Sequence, residues 1–399
     1  MRLNLDKIRA DFPILQKKVV YFDNSCVTLR PRQVVDAMNR YYYEFSGCAG
    51  RSMHRFGNKT TEEVAISRNQ IRKFIDAKKS EELIFTRNTS EGINLIANSF
   101  KFKKGDKVLI TDKEHNSNLL PWQVLAEKGI IKLEVINSNP DNTFNFEEFE
   151  QKVKGAKLIS IVHTSNLDGV TNPVKNIIKT AHSNGALVML DAAQSAPHKE
   201  LSVKSLDVDF LAFSGHKMLG PSGMGVLYGK KDLLEQLNPF LVGGETVKDS
   251  TYTTREWEDV PERFEAGLQN YAGIIGLAEA TRYLEKIGLK NIEKHEEKLN
   301  AELTEGLMTF EDVTIIGPNS PDKRGGITSF TMGKSDPHQL AILLDTSADI
   351  MIRSGAHCVH SWFNKHKLSG TARSSLYLYN ASEEVDYFLN HIKKIRSLL

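Results

Sequence analysis

Between residues 83 and 228, short apolar runs rich in β-branched side chains alternate with amphipathic stretches of helical length. Runs at residues 83–86, 107–111, 132–136, 158–162, 186–190, 209–213 and 225–228 predict seven strands. Most are apolar without interruption, as in Ala186-Leu187-Val188-Met189-Leu190, the pattern of strands covered on both faces. Helical periods separate most of them, including one opened by Asn172-Pro173 and ending at Ser183. This alternation predicts an α/β domain with a mainly parallel sheet. Ahead of it, Pro31 opens a helical period through Val34, Met38, Tyr41, Tyr42 and Phe45. Thr60 and Glu63 have the spacing of a capping box before Val64 and Ile71.

Residues 243–263 are rich in Thr and charge and read as loop and connector. Beyond them, helical periods at 272–287 and 291–308 precede strand patterns at 313–316, 326–332, 350–354 and 374–379. Further helices open near Pro337 and Ser382, so a second, α+β domain is expected. There is no internal repeat and no low-complexity segment.

Composition narrows the class. At about 150 residues per domain, the 399 residues correspond to two or three domains. The 52 Lys and Arg are interspersed with 50 Asp and Glu, leaving a formal charge of +2 and no basic face or tail to attract nucleic acid or a membrane surface. No apolar run reaches membrane-span length, and the charged start (Asp6, Lys7, Arg9, Asp11) does not resemble a signal peptide. Cys26, Cys48 and Cys358 are too few and too scattered for a disulfide framework or a zinc site. A reduced, cytoplasmic protein without a structural metal is expected.

Ligands of open α/β sheets collect at the carboxyl ends of the strands. Residues 83–86 lead into Thr89-Ser90-Glu91-Gly92, where Thr89 or Ser90 opens a helix, either as a plain cap or as part of an anion site. Residues 186–190 end in Asp191-Ala192-Ala193-Gln194, a turn carboxylate or a functional one. Residues 209–213 end in Ser214-Gly215-His216-Lys217; such a lysine is either solvated or desolvated and activated for imine chemistry. His115 follows residues 107–111 and reads as a loop histidine or as a ring-stacking, proton-handling group. A phosphate cradle, a carboxylate, an imidazole and an amine on one sheet edge together suit pyridoxal phosphate.

These segments resemble the class V, fold type I pyridoxal-phosphate enzymes, and among them the cysteine desulfurases. Arg353-Ser354-Gly355-Ala356-His357-Cys358 is similar to the catalytic-cysteine segment of group II (Suf-type) cysteine desulfurases and selenocysteine lyases. The resemblance runs from Tyr21-Phe22-Asp23-Asn24 to the final helix. It implies a large cofactor domain at 20–265 and a small α+β domain from 1–19 and 266–399.

The resemblance also implies roles. Lys217 would hold the cofactor aldehyde and move the substrate Cα proton. Asp191 would face the pyridine nitrogen, Gln194 the ring hydroxyl and His115 the ring face. Ser90, Ser214 and His216, with Thr89 adjacent, would bind the phosphate. Arg373 would take the substrate carboxylate, with Asn166 nearby. Arg51 would come from the second chain of a homodimer. Cys358, near cations such as Arg353, would accept sulfur from L-cysteine as a persulfide and pass it to an acceptor protein for iron-sulfur or other cofactor assembly. Selenocysteine lysis, or other class V aminotransferase or lyase chemistry, is the alternative. Three positions depart from the pattern. Leu268 stands where a phosphate-reaching Thr is common, Asn24-Ser25-Cys26 replaces small apolar residues, and Ala356 replaces a frequent histidine. Cys26 and Cys48 carry no assigned chemistry, although Cys26 falls in a segment near the substrate in this family.

Overall fold

Strands apolar on both sides need cover on both faces, and the seven runs meet that need in one sheet. The computed structural model describes residues 3–396; residues 1–2 and 397–399 of the expected small domain lie outside them. In chain order the strands are β1 (Leu83–Thr86), β2 (Asp106–Thr111), β3 (Ile131–Ile136), β4 (Ala156–Val162), β5 (Leu187–Asp191), β6 (Phe210–Ser214) and β7 (Gly225–Gly229). Their order across the sheet is β1-β7-β6-β5-β4-β2-β3. Pairing is parallel except around β7, which runs antiparallel to β1 and β6. The carboxyl ends of the other strands therefore share one edge.

The two-residue period of a strand divides its side chains between two cores. Leu83, Phe85, Val188, Leu190, Leu211 and Phe213 enter one, together with helix Tyr271–Ile287 and with Ile8, Phe12 and Leu15 near the start of the chain. Ile84, Met189, Phe210 and Ala212 enter the other, with Ile93 and Trp122 of the covering helices. A second sheet, all antiparallel, contains β8 (Val313–Ile315), β9 (Ile327–Met332), β10 (Arg353–Gly355) and β11 (Thr371–Ser375), ordered β8-β9-β11-β10. Its core joins Phe22 to Leu299, Phe330 and Phe388. Among the described residues no helix is long and apolar enough to cross a membrane.

Three local expectations are corrected. Thr60 and Glu63 do not open a helix; they lie inside Arg55–Phe74, which is capped by His54 Nδ1 accepting from Gly57 N at 3.3 Å. Thr60 donates instead to the carbonyls of Phe45 and Phe56, and Glu63 pairs with Arg40 and Lys59. The strand expected at 374–379 is β11, which ends at Ser375. Leu376 to Tyr379 are buried as a turn, because Asn380 accepts from Tyr377 N and also donates its own N–H to the Tyr377 carbonyl. The 243–263 connector contains a hairpin, Val247–Ser250 with Arg255–Trp257, turned by Thr251 and Thr254, whose hydroxyls lie 2.7 Å apart.

Candidate active site

The shared sheet edge and the loop after β10 enclose a cavity of about 210 Å³. Thr89, Ser90, His115, Asn166, Asp191, Gln194, Ser214, His216, Lys217, Cys358 and Arg373 all line it. Arg51 does not. It pairs with Glu245 at 2.8 Å on an open surface, with just over half of its side chain exposed. Leu268 is also exposed and outside the cavity.

The polar cradle starts where β1 gives way to helix Thr89–Ser99. Asn88 caps that helix by accepting from Glu91 N at 3.0 Å, which leaves the hydroxyls of Thr89 and Ser90 free to turn elsewhere. Ser214 Oγ accepts from Thr89 N at 2.9 Å and lies 2.6 Å from Thr89 Oγ1. Ser90 Oγ lies 2.5 Å from Ser117 Oγ. Hydroxyls from three strand ends thus converge at a helix N-terminus, a preformed anion site. A Cβ on Gly225 would fall 2.7 Å from Asn88 Cα, so only glycine lets β7 pass this close to the helix start. Ser117 and Asn88 belong to this group and are absent from the sequence-based set. Ser117 sits in the first turn after a strand-end histidine, which was its available signal.

Beyond the cradle lie the amine, the carboxylate and the imidazole. Burial pushes the Lys217 amine below its usual range; Asp191 partly restores it, and the Arg373 charge lowers it further. Burial raises the Asp191 carboxyl, whose Oδ1 accepts from Ala193 N at 2.9 Å. His115 caps helix Asn116–Glu127, its Nδ1 accepting from Ser117 N at 3.1 Å. That bond leaves the proton of the neutral ring on Nε2. Burial, then the charges of Lys217 and Arg373, hold His115 down to about 3. His216 is likewise held at about 4, by burial and by Lys217. Gln194 Nε2 donates to the Ser25 carbonyl at 2.7 Å, while its Oε1 is buried without a protein partner.

The opposite wall comes from the small sheet. Arg373 on β11 is fully buried; its Nη1 donates to the Asn166 carbonyl at 2.9 Å, its Nη2 lies 3.5 Å from Asp23, and its Nε has no partner. Burial lowers its pKa to about 10. Asn166 Nδ2 donates to the His357 carbonyl at 2.8 Å, beside Cys358. His357 and Cys358 both adopt left-handed backbone, φ 48° and 61°, so the thiol stands on a sharp turn. The Cys358 carbonyl accepts from Asn116 N at 2.7 Å, fastening the turn to the helix capped by His115. The Arg353 guanidinium lines the cavity with Cys358 and donates to Cys26 Sγ at 2.7 Å. Cys26 lines the same cavity.

The residues present fit pyridoxal phosphate. The hydroxyl cradle suits its phosphate, Asp191 its ring nitrogen, Lys217 its aldehyde and Gln194, with its unpartnered Oε1, its ring hydroxyl. Residues 20–388 match the family described as aminotransferase class-V. The chain belongs to the class-V aminotransferase family. Within it, a probable cysteine desulfurase from Pyrococcus abyssi is 43% identical over 99% of this chain and 98% of its own length. The apo structure of a cysteine desulfurase from Thermococcus onnurineus is similar with a TM-score of 0.96 and 42% identity, covering 100% of this chain and 99% of that one. The Escherichia coli cysteine desulfurase CsdA, in an S-sulfonic acid form, gives a TM-score of 0.93 at 29% identity, with both chains fully covered.

Proposed function

We propose that this class-V aminotransferase is a pyridoxal-phosphate-dependent cysteine desulfurase that moves sulfur from L-cysteine to Cys358 and releases L-alanine. The observation that carries the reading is the convergence of Lys217, Asp191, Arg373 and Cys358 on one cavity. When bound, pyridoxal phosphate supplies an electron sink for the charge left at Cα.

The chain's own groups do the rest. Thr89, Ser90, Ser214 and His216 would hold the phosphate, and Asp191 would hold the pyridine nitrogen. Arg373, itself buried, takes the substrate carboxylate, where a charge-assisted fork fixes orientation. Lys217, with its pKa lowered by burial, would hold the cofactor aldehyde and can take the Cα proton at Nζ. His115, neutral with its proton on Nε2, would face the cofactor ring and could donate that proton. Cys358 Sγ attacks the substrate sulfur. A sulfur–sulfur bond forms, the carbon–sulfur bond breaks with its electron pair left on the carbon side, and protonation at Cβ ends in alanine. The resulting Cys358 persulfide passes its outer sulfur to an acceptor protein serving iron-sulfur or other cofactor assembly.

Arg51, exposed and outside the cavity, is assigned to the neighbouring site of a homodimer. We assign residues 20–265 to the large domain and the remainder to the small one, with helix Tyr271–Ile287 and the first turns of the chain packing across onto the large sheet. The described cysteines are all free, which suits a cytoplasmic location.

The test is alanine formation from L-cysteine by the holoenzyme with a reductant, alongside L-selenocysteine. Cys358→Ala is expected to lose turnover with L-cysteine by roughly a hundredfold or more. Full activity of that variant with L-cysteine overturns the persulfide route.

A further inference from the structure

The desulfurase reading uses one thiol, yet the cavity holds two. Cys26 and Cys358 both line it, both are free and both are partly exposed. Lys217 lines the same cavity as both sulfurs. Cys26 sits in a tight turn whose N–H donates to the Asp23 carbonyl at 3.2 Å. Its sulfur is held by Arg353 Nη1 at 2.7 Å. Arg353 lies on β10, directly opposite Arg373, and β10 leads straight into the Cys358 turn. The guanidinium that fixes Cys26 thus belongs to the segment that carries Cys358. The cavity that both thiols line also carries buried polar atoms without protein partners: Ser25 Oγ, Gln194 Oε1 and Arg373 Nε.

On the basis of the proposed desulfurase chemistry, we propose that Cys26 is a second sulfur-carrying thiol, which takes the outer sulfur from the Cys358 persulfide. In that step Cys26 Sγ attacks the outer sulfur. A new sulfur–sulfur bond forms on Cys26, the bond between the two sulfurs on Cys358 breaks, and its electron pair returns to Cys358 Sγ. The Cys26 thiol proton passes to that thiolate. One persulfide is consumed and one is made, so the transfer needs no oxidant or reductant. Cys358 is then free to accept sulfur from another cysteine, and the charged Arg353 fork stays beside the stored sulfur.

The holoenzyme, given excess L-cysteine with no acceptor and no reductant, reports the storage capacity. Wild type is expected to release about two equivalents of alanine per site in the burst, against about one for Cys26→Ala and for Cys26→Ser, the second variant guarding against a folding effect of the first. Trypsin separates the three cysteines: Cys26 falls in residues 19–32, Cys48 in 41–51 and Cys358 in 354–365. Peptide masses should place one added sulfur on the 19–32 peptide of wild type and none there in Cys358→Ala. Sulfur stacked on Cys358 alone, a disulfide between the two peptides, or sulfur on Cys26 in Cys358→Ala each overturns the relay and leaves alanine formation standing. A wild-type protein that forms no alanine overturns the desulfurase reading and the relay with it.

Discussion

Lys113 and Asp168 form an ion pair sealed from solvent, with Nζ 2.8 Å from Oδ2 and side chains 2% and 0% exposed. Lys113 also donates to the Asn142 carbonyl at 2.5 Å, and Asp168 Oδ1 accepts from Val170 N at 3.0 Å. The pair joins the loop that presents His115 to the loop that presents Asn166. Removing one partner leaves a buried charge alone, so Lys113→Met or Asp168→Leu should each cost about 3–5 kcal/mol. The double variant should recover most of that loss in denaturant unfolding, because a matched apolar pair strands no charge.

Arg373→Lys keeps the charge but loses the fork. The expected result is a 10- to 100-fold fall in kcat/KM, on the order of the 1.5–3 kcal/mol of a charged hydrogen bond, carried mainly by KM. Steady-state kinetics with L-cysteine measure it. An unchanged KM removes Arg373 from carboxylate binding.

His115 titrates near 3 in the folded chain, against an ordinary value near 6.5. A base held this low binds fewer protons when folded than when unfolded. Its stabilising contribution is therefore present above about 6.5 and is lost as pH falls from there towards 3. Urea unfolding of the cofactor-free protein from pH 7 to pH 4 should show a shallower loss of stability for His115→Asn than for wild type. Ring carbon shifts of His115 should stay those of a neutral imidazole down to pH 5.

Gly225→Ala tests the cradle. The added Cβ would meet Asn88 Cα and the Phe213 carbonyl at 2.7 Å each, both backbone atoms, so the helix start must move. Overpacking of this kind costs about 1–3 kcal/mol. Weaker pyridoxal-phosphate binding, measured by titrating the cofactor absorbance, is the expected outcome.

Much of the fold was legible because strands buried on both faces leave unbroken apolar runs, and because Lys217 and Asp191 follow such runs directly. Helix starts were less legible. Thr60 and Glu63 have capping spacing, but His54 and an unbroken run from Arg55 carry the helix past them. Thr89 opens its helix as expected, yet the cap is Asn88, and that one-residue shift is what frees the Thr89 hydroxyl for Ser214. Contacts between distant segments left no local signal. The pairing of Arg353 with Cys26 joins residues 327 positions apart, and nothing near either of them announces it. The turn at 376–379 has the apolar pattern of a strand, and only the side chain of Asn380 decides otherwise.

One residue, Asn166, receives Arg373 at its backbone carbonyl and gives its amide to the carbonyl before Cys358. The Arg373 fork and the turn that bears the thiol therefore hang from the same peg. A displacement of residue 166 is therefore felt at the Arg373 guanidinium and at the Cys358 turn together.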